Sequence, residues 1–346
     1  MIERGTIFCD NNMAEVKIIG FGEGIPKRCV SNDALTTLVD TNDEWIRSRT
    51  GIQQRYIATD ETLTDLCTQA AQDALRQAGI AADQLDLVIV ATLTPDLALP
   101  NASCMLQKSI GAVNAACFDL SAACSGFMYA LNTARMYIKG GAAKYALVVG
   151  GEILSKIIDW TDRSTCVLFG DGAGAAVVAK SDEPGNLDIV LGTDGAKGEA
   201  LMLEERPSDN PFRRQYIEEN GAIETNLPSA GSFVSMNGQE VFKFAVKRVP
   251  ECIFKILENT GYSVEDIDYY VLHQANLRIL SCVAKKIGVS YDKFYVNLDK
   301  YGNTSAASVP IALAEMSKKG MLKKGMKVIM VGFGGGLTWG GGLVMI

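Results

Sequence analysis

The segment DLVIVAT at residues 86–92 is a continuous apolar run in which β-branched residues are frequent. A run of this length, bounded by polar residues, is typical of a strand buried on both faces of a sheet. Helical spacing precedes it at 64–77, and an apolar helix is predicted at 126–139. The same reasoning predicts further strands at 16–21, 116–120, 145–150 and 172–179.

The second half of the chain repeats this order of elements. IDYYVLH at 267–273 corresponds to DLVIVAT. The segments that correspond to the later elements of the first half are 294–298, 305–318, 327–331 and 341–346. This duplication predicts an α/β protein of two similar βα halves, with mostly parallel sheets between layers of helices. We place an N-terminal extension at 1–14 and the halves at 15–183 and 184–346, with a long loop at 193–231.

Composition argues against several classes of function. The chain has a formal net charge of -7 and no block of Lys and Arg, so nucleic acid is not expected as a partner. No apolar run reaches the roughly 18 residues of a membrane span, and residues 1–12 lack the apolar core of a secretory signal. The nine cysteines form no C-x-x-C pair and there is one histidine, so no metal site is expected. We expect a cytoplasmic protein with reduced thiols.

Cys124 lies in SAACSG (121–126), where a predicted strand ends and a helix begins. The free N–H groups and partial positive charge of a helix N-terminus can lower a cysteine pKa from about 8.5 to about 3.5–7.5. Small neighbouring residues permit a sharp turn and close approach of a substrate. Packing of Cys124 as a small core residue is the alternative.

His273 and Asn303 are the polar groups predicted to lie near Cys124. His273 ends a buried strand, and ligands of open α/β sheets bind at such strand ends. Asn303, in GNTS (302–305), occupies the corner that Cys124 occupies in the first half, although Asn is also an ordinary helix N-cap. The glycine-rich tail at 332–342 precedes a strand, so it is not a nucleotide loop and instead brings backbone N–H groups to the site.

Seven motifs follow one another in the order of a known family. They are TNDEWIRSRTGI (41–52), AACSGFMYAL (122–131), TDRSTCVLFGDGAGAAV (161–177), NGQEVFKFAV (237–246), LHQANLRI (272–279), YGNTSAASVP (301–310) and FGGGLTWG (333–340). Together they resemble β-ketoacyl-acyl-carrier-protein synthase III, the initiating condensing enzyme of type II fatty-acid synthesis. The resemblance covers nearly the whole chain and implies a thiolase-like fold, layered α-β-α-β-α.

The resemblance implies a catalytic triad of Cys124, His273 and Asn303. Cys124 would take the acyl group from a short primer acyl-CoA, with acetyl-CoA expected, while N–H groups of Cys124 and Gly335 hold the oxyanion. His273 and Asn303 would stabilise the enolate that malonyl-acyl-carrier protein forms as it loses CO2. Attack of this carbanion on the acyl-cysteine gives the 3-ketoacyl product. No cofactor is implied.

Other positions take roles from the resemblance one by one. The CoA-binding residues would be Trp45, Arg49, Arg163, Gly238, Phe242 and Asn276. The carrier-docking segment would be Gln274, Ala275, Asn276, Leu277 and Arg278, beside a basic face of Arg278, Lys243, Lys247, Arg248, Lys285 and Lys286. The acyl pocket would be lined by Leu99, Phe169, Phe333 and Leu337, with a second subunit of a homodimer helping to close it.

Three alternative functions stay open at this point. Leu99 and Leu337 replace larger aromatics of well-known acetyl-specific members, so the preferred primer is undecided. A condensing or acyl-transfer enzyme of secondary metabolism would carry the same triad. A non-catalytic partner subunit would typically lack the nucleophile, which this chain has, and a thiol hydrolase would not need a carrier-docking segment.

Overall fold

The computed structural model describes residues 15–181, 187–203, 218 and 233–346. The predicted extension at 1–14 and most of the predicted loop at 193–231 lie outside these residues. The strands are β1 (Glu15–Gly24), β2 (Arg28–Ser31), β3 (Gln54–Ile57), β4 (Leu87–Ala91), β5 (Ala116–Leu120), β6 (Tyr145–Glu152), β7 (Gly172–Ser181), β8 (Asp188–Thr193), β9 (Leu201–Met202), β10 (Ser235–Met236), β11 (Tyr269–Leu272), β12 (Lys327–Gly334) and β13 (Thr338–Met345). The helices are α1 (Asn32–Leu35), α2 (Asp43–Thr50), α3 (Leu63–Ala78), α4 (Ala102–Ile110), α5 (Gly126–Lys139), α6 (Arg163–Cys166), α7 (Gly238–Thr260), α8 (Leu277–Ile287), α9 (Leu298–Tyr301) and α10 (Ser308–Lys318).

Two mixed sheets form the frame of the fold. The first has the strand order β1-β7-β6-β4-β5 and the second the order β11-β12-β13-β8. β4 runs parallel to β5 and β6, and β11 runs parallel to β12, whereas the other neighbouring pairs in the two sheets are antiparallel. The prediction of mostly parallel sheets is therefore wrong. β13 follows β12 through a three-residue turn, and a turn this short joins only antiparallel neighbours. In the first sheet, β7 also runs antiparallel to β6, the strand before it in the chain.

Helices and sheets alternate in five layers. α5 and α10 lie between the two sheets and pack against strands of both. α3 and α4 cover the outer face of the first sheet, and α7 and α8 cover the outer face of the second. The apolar faces of α5 and α10 fill the central core, with Phe127, Leu131 and Leu313 fully buried. The predicted α-β-α-β-α sandwich is therefore confirmed.

The second half departs from the first at residues 294–298, which were predicted as a strand. Only Phe294 pairs, in a single parallel bridge to Tyr270. Beyond this bridge the Gln274 side chain takes the place of strand partners, because its amide donates to the Tyr295 carbonyl (3.3 Å) and accepts from the Asn297 N–H (3.1 Å). The predicted loop also begins with structure, because residues Gly195–Ala200 form 3-10 turns and β9 pairs with β10.

The boundary between the halves lies where the chain changes sheets. β7 ends at Ser181 in the first sheet and β8 begins at Asp188 in the second. Residues 182–186 are not described, so the division at 183/184 stays a prediction. Among the described helices, none combines the length and apolar character needed to cross a membrane.

Candidate active site

Cys124 lies in a tight turn between β5 and α5. Residues Ala123–Ser125 form a 3-10 turn, and α5 begins at Gly126, two residues after the thiol. Ala123 has a φ of 47°, a left-handed conformation that costs about 1–3 kcal/mol and is found mainly where the surrounding structure enforces it. The side chain of Cys124 is 8% exposed, and the backbone N–H groups of Cys124 and Gly335 hydrogen-bond its sulfur.

β12 passes directly over the thiol at Gly334. A Cβ at this position would lie 2.7 Å from the Cys124 Cβ and 2.9 Å from its Sγ. Both distances are shorter than van der Waals contact, so the absence of a side chain lets the end of β12 lie against the thiol. The next residue, Gly335, can then present its N–H to the sulfur.

His273 follows β11 and is 1% exposed. Its backbone N–H donates to the Val331 carbonyl at 2.7 Å, which fixes the residue to β12. The ring packs edge-on against Phe333, with centroids 5.1 Å apart. Its Nδ1 lies 2.6 Å from Ser308 Oγ, so the other ring nitrogen, Nε2, is left for the cavity.

Asn303 is held by the backbone at the corresponding corner of the second half. Its N–H donates to the Leu168 carbonyl (2.9 Å) and its carbonyl accepts from the Gly170 N–H (3.0 Å). The side-chain Oδ1 accepts from the Ser305 N–H at 2.9 Å. This hydrogen bond orients the amide so that its NH2 group, a donor of two hydrogens, remains for a ligand.

The three predicted catalytic residues line one cavity of about 130 Å³. Its other walls include Phe169, Phe333 and Gly334 around the thiol, and Gly238, Phe242, Ala275 and Asn276 farther out. A thiol, an imidazole and an amide therefore face the same small space. Within the described residues, no cluster of His, Cys, Asp and Glu is arranged to hold a metal ion.

Burial controls the protonation of the two titratable groups. It raises the pKa of Cys124 to about 11, against hydrogen bonds from the Ser305 hydroxyl and the two backbone N–H groups. It lowers the pKa of His273 to about 3. The expectation that a helix N-terminus lowers the pKa of Cys124 is wrong for the resting site, because the thiol is buried and α5 begins only at Gly126. Both groups are neutral near pH 7.

A buried carboxylate that sequence reasoning missed lies beside Ser305, at the edge of the site. Glu152 ends β6 and is 0% exposed. It accepts hydrogen bonds from Thr94 Oγ1 (2.6 Å), the Leu93 N–H (3.0 Å) and Thr92 Oγ1 (3.2 Å). The Ser305 hydroxyl donates to Glu152 Oε1 at 3.4 Å. An acidic residue ending a buried strand was the signal that could have revealed it.

A second, mostly apolar cavity of about 350 Å³ lies on another side of Cys124. Of the predicted acyl-pocket residues, Phe169 lines both cavities and Phe333 lines the smaller one. Leu337 lines neither, because the turn after β12 directs it into the core beneath α7, where it is fully buried. Leu99 is 87% exposed and also lies outside both cavities of its own chain. Sequence reasoning missed the apolar walls of the larger cavity: Leu93, Leu154, Ile157, Leu201, Met202, Leu203 and Val234.

The predicted nucleotide-binding residues meet at the surface. The guanidinium groups of Arg49 and Arg163 each lie 4.8 Å from the centre of the Trp45 ring. Arg163 also donates to the Asp40 carbonyl at 2.8 Å. Arg49 is also one of the residues that line a separate surface cavity of about 280 Å³; the others are Arg47, Ser48, Thr50, Gly51, Leu277, Arg278 and Ser281.

The predicted docking segment is only partly exposed. Gln274 is 1% exposed; its amide donates to the Leu272 carbonyl and accepts from the Asn297 N–H, so its prediction as a docking residue is wrong. Ala275 and Asn276 line the cavity, while Leu277 packs on Gly51. Arg278 is exposed and donates to the Ser48 carbonyl at 3.1 Å. In the predicted basic face, Lys243 and Arg248 pair with acidic neighbours, and Lys286 donates to a backbone carbonyl.

Two family models match the chain. The model for 3-oxoacyl-acyl-carrier-protein (ACP) synthase III matches residues 118–195, and the model for the C-terminal part of the same enzyme matches residues 257–346. A β-ketoacyl-acyl-carrier-protein synthase III from Clostridium acetobutylicum is 52% identical over 328 residues, 95% of this chain and 98% of the relative. The crystal structure of the Aquifex aeolicus synthase III is 43% identical, with a TM-score of 0.86 and coverage of 96% and 100% of the two chains. The priming β-ketosynthase of the R1128 polyketide pathway is 37% identical, with a TM-score of 0.86 and coverage of 96% and 97%. The chain therefore belongs to the 3-oxoacyl-acyl-carrier-protein synthase III family, the family that its motifs resemble.

Proposed function

We propose that Cys124, His273 and Asn303 divide between them the reaction of this family. The protein is an acyltransferase of fatty-acid biosynthesis that condenses a primer acyl-CoA with malonyl-acyl-carrier protein and releases CoA and CO2. One observation carries the assignment of residues. A thiol, an imidazole and an amide line one cavity, and two backbone N–H groups point at the sulfur.

Cys124 is the nucleophile of the first half-reaction. Its sulfur attacks the thioester carbonyl of the acyl-CoA, the bond from that carbon to the CoA sulfur breaks, and the acyl group remains on Cys124. The N–H groups of Cys124 and Gly335 lie beside the sulfur, so they can stabilise the negative charge that develops on the carbonyl oxygen. Acetyl-CoA is the primer we expect.

His273 and Asn303 serve the second half-reaction. Asn303 presents its NH2 group, since its side-chain Oδ1 accepts from the Ser305 N–H. The Ser308 hydroxyl lies 2.6 Å from His273 Nδ1 and 2.9 Å from the Ser305 carbonyl, and it has one hydrogen for the two acceptors. When it donates to Nδ1, the neutral ring carries its hydrogen on Nε2 and becomes a second donor. Both donors then meet the thioester carbonyl of malonyl-acyl-carrier protein, where negative charge develops as CO2 leaves. The carbanion attacks the acyl-cysteine and releases the Cys124 sulfur as a thiolate.

The CoA nucleotide is assigned to the surface around Trp45. Guanidinium groups stack well on flat aromatic systems, and two of them cover the Trp45 ring. A bound adenine would take the place of one guanidinium on this ring. The nearby cavity between Arg49 and Arg278 supplies cations for the phosphates. The pantetheine arm is assigned to the walls formed by Gly238, Phe242 and Asn276, which lead to Cys124.

Carrier protein is assigned to the exposed end of the segment that begins α8. Arg278 lines the surface cavity of about 280 Å³ at the start of α8, Lys285 is exposed on the same helix, and Lys247 is exposed on the neighbouring α7. Among the described residues, none of these three cations forms an ion pair with an acidic side chain. An acidic carrier therefore meets cations whose charge is not already neutralised, with Leu277 and Ala275 between them and the cavity.

A homodimer fits the outer edge of the first sheet. β5 is the last strand of that sheet, and no described strand pairs with its free edge. Large apolar side chains are exposed around it, with Leu99 at 87%, Val113 at 73% and Met136 at 49%. Such a patch marks an interaction surface, and a second copy of the chain would pair edge to edge. Leu99 would then reach the acyl pocket of the partner.

The reaction as assigned needs no bound cofactor, because side chains, backbone N–H groups and the two substrates supply every group. A cytoplasmic location is supported by the eight described cysteines, all of which are free thiols. A second candidate function is priming in secondary metabolism, which the similarity to the R1128 β-ketosynthase favours. It would differ in primer or acceptor and not in the triad.

Covalent labelling tests the proposed nucleophile. Incubation with acetyl-CoA is expected to add one acetyl group, and peptide mass mapping should find it on Cys124. Labelling elsewhere, or no labelling with any short acyl-CoA, would refute the assignment. A panel of acyl-CoA primers, each with malonyl-carrier protein or malonyl-CoA, then separates the fatty-acid function from the secondary-metabolism one.

A further inference from the structure

A pair of hydroxyl groups joins the two turns that carry the proposed oxyanion donors. Ser125 directly follows Cys124 and is 0% exposed, and Thr338 follows Gly335 by three residues. The two hydroxyl oxygens lie 2.7 Å apart, although the residues are 213 positions apart in the chain. This contact links the turn after β5 to the turn after β12, and no step of the reaction above uses either hydroxyl.

The hydrogens of this pair can satisfy two backbone carbonyls. Each hydroxyl carries one hydrogen, and a separation of 2.7 Å requires one of the two hydrogens between the oxygens. When Ser125 donates to Thr338, the Thr338 hydrogen is left for the Gly335 carbonyl at 2.8 Å. The Ala122 carbonyl, the other acceptor near both hydroxyls, already accepts from the Ser125 N–H at 3.1 Å. The arrangement in which Thr338 donates to Gly335 therefore gives a donor to each carbonyl.

The segment that Thr338 holds is one that needs anchoring. The end of β12 and the turn after it contain glycines at 334–336. Glycine has the widest choice of backbone conformations, so fixing three in a row costs more conformational entropy than fixing other residues. At one end of the turn, the N–H and carbonyl of Leu337 pair with the backbone of Asp194 at 3.2 and 2.8 Å. The Thr338 hydroxyl holds the carbonyl of the middle glycine.

Both turns lie along one wall of the cavity of about 350 Å³. Ala123, Cys124, Gly335 and Thr338 all line it. A Cβ at residue 335 would lie 3.3 Å from the Ala123 Cβ, so Gly335 rests directly on the turn of the nucleophile. An oxyanion donor acts only when it lies about 2.7–3.1 Å from the developing charge, so a small shift of Gly335 against this turn would weaken it.

We propose that Thr338 is a positioning residue for acylation and that Ser125 orients its hydroxyl. The inference rests on the proposed function, in which the N–H groups of Cys124 and Gly335 stabilise the charge on the thioester oxygen. Thr338 holds the Gly335 carbonyl, and Ser125 holds Thr338 from the turn of the nucleophile. The two donors are thereby kept in a fixed relation before the substrate binds, and neither hydroxyl exchanges a bond in the reaction.

Thr338→Val tests the proposal, because it removes the hydroxyl and keeps a branched side chain that suits a strand. Single-turnover acetylation of Cys124 at increasing acetyl-CoA, followed by intact-protein mass, gives a limiting rate and a half-saturating concentration. The limiting rate should fall about tenfold to a hundredfold, less than the loss expected when an oxyanion donor is removed outright. The half-saturating concentration should stay at the wild-type value, because the charge that the donors stabilise exists only in the transition state.

Two further variants separate the hydroxyl from the rest of the side chain. Thr338→Ser keeps the hydroxyl and should acetylate within a few-fold of wild type. Ser125→Ala leaves Thr338 intact but removes the group that orients it, so the limiting rate should fall as well. If Thr338→Val does not fold, Ser125→Ala carries the test, and a wild-type limiting rate in that variant overturns the proposal.

Alkylation of Cys124 by iodoacetamide distinguishes a displaced donor from a damaged thiol. The sulfur displaces iodide from a saturated carbon, so no oxyanion forms, and Thr338→Val should alkylate within a few-fold of wild type. Thr260→Val is the matched control. It removes a hydroxyl that donates to the Ile256 carbonyl, also at 2.8 Å, at the end of α7, and it should acetylate at the wild-type rate.

Three results overturn the proposal. They are an unchanged limiting rate in Thr338→Val, a Thr338→Ser variant as slow as Thr338→Val, and a loss of alkylation in Thr338→Val as large as the loss of acetylation. Failure of the proposed function gives a different result, because the wild-type protein would then not acetylate Cys124 at all.

Discussion

Replacing Gly334 by alanine tests whether the close approach of β12 positions the Cys124 thiol. A Cβ at residue 334 would lie 2.7 Å from the Cys124 Cβ and 2.9 Å from its Sγ, whereas ordinary van der Waals contact begins near 3.4 Å. Something must therefore move by about 0.5–0.7 Å. Gly334 has a φ of 170°, which is extended backbone that alanine also adopts, so the perturbation is purely steric.

The expected effect on acyl transfer is large because the atom displaced is the nucleophile. A misplacement of about 1 Å at a reacting centre can cost about a hundredfold in rate, so a shift of about half that distance should slow acylation by about tenfold to a hundredfold. Overpacking at a buried site should also lower the free energy of unfolding by about 1–3 kcal/mol. The two effects are measured separately, by single-turnover acetylation of Cys124 followed by intact-protein mass, and by denaturant unfolding.

Gly195→Ala is the matched control, since a Cβ there meets no heavy atom within 4 Å. It should acetylate at the wild-type rate. If Gly334→Ala is folded and acetylates as fast as wild type, the close approach of β12 does not position the thiol. If Gly195→Ala slows acetylation equally, the loss has no steric origin at residue 334.

Two further predictions separate the later steps. His273→Ala should keep acetylation of Cys124 within a few-fold but lower CO2 release from malonyl-carrier protein by about 10²–10⁴-fold, and equal loss of both steps would refute the proposed division of roles. Lys285→Glu should raise KM for malonyl-carrier protein about tenfold, or roughly 1.4 kcal/mol, with acetylation unchanged, because it reverses a charge at the proposed docking site and lies outside the cavity assigned to the CoA phosphates. Lys323→Glu makes the same charge change near the opposite end of β12 and should leave this KM unchanged. A rise of KM in Lys323→Glu would show that the effect comes from the net charge of the protein and not from the docking site.

The frame of the fold could be predicted from the sequence because its signals are local. The strand at 116–120 and the helix at 126–139 have the predicted bounds, since apolar runs there are bounded by turn residues. The duplication then placed Cys124, His273 and Asn303 at sheet ends, and the structure brings them to one cavity. What makes this possible is that strand ends converge whatever the details of the loops.

Features set by contacts between distant residues could not be predicted in this way. Glu152 meets Ser305, 153 positions away, and nothing in the neighbourhood of either residue indicates the pairing. The side chain of Leu337 points into a core because of the turn that carries it, and Gln274 serves the backbone around it. The pKa of Cys124 also depends on burial by the whole fold, which here outweighs the local effect of the helix start.

The corresponding corners of the two halves share an unusual backbone conformation. Ala123 and Ser305 begin the two corresponding 3-10 turns, and both have a left-handed φ, 47° and 50°. These turns pack against each other between the sheets. In the first half the turn places a thiol in the cavity, and in the second half the residue equivalent to Ala123 carries a hydroxyl. One strained corner, used twice, therefore brings the turn that carries the nucleophile against the turn that carries Ser305, and Glu152 lies beside Ser305 because β6 ends at the same edge of its sheet.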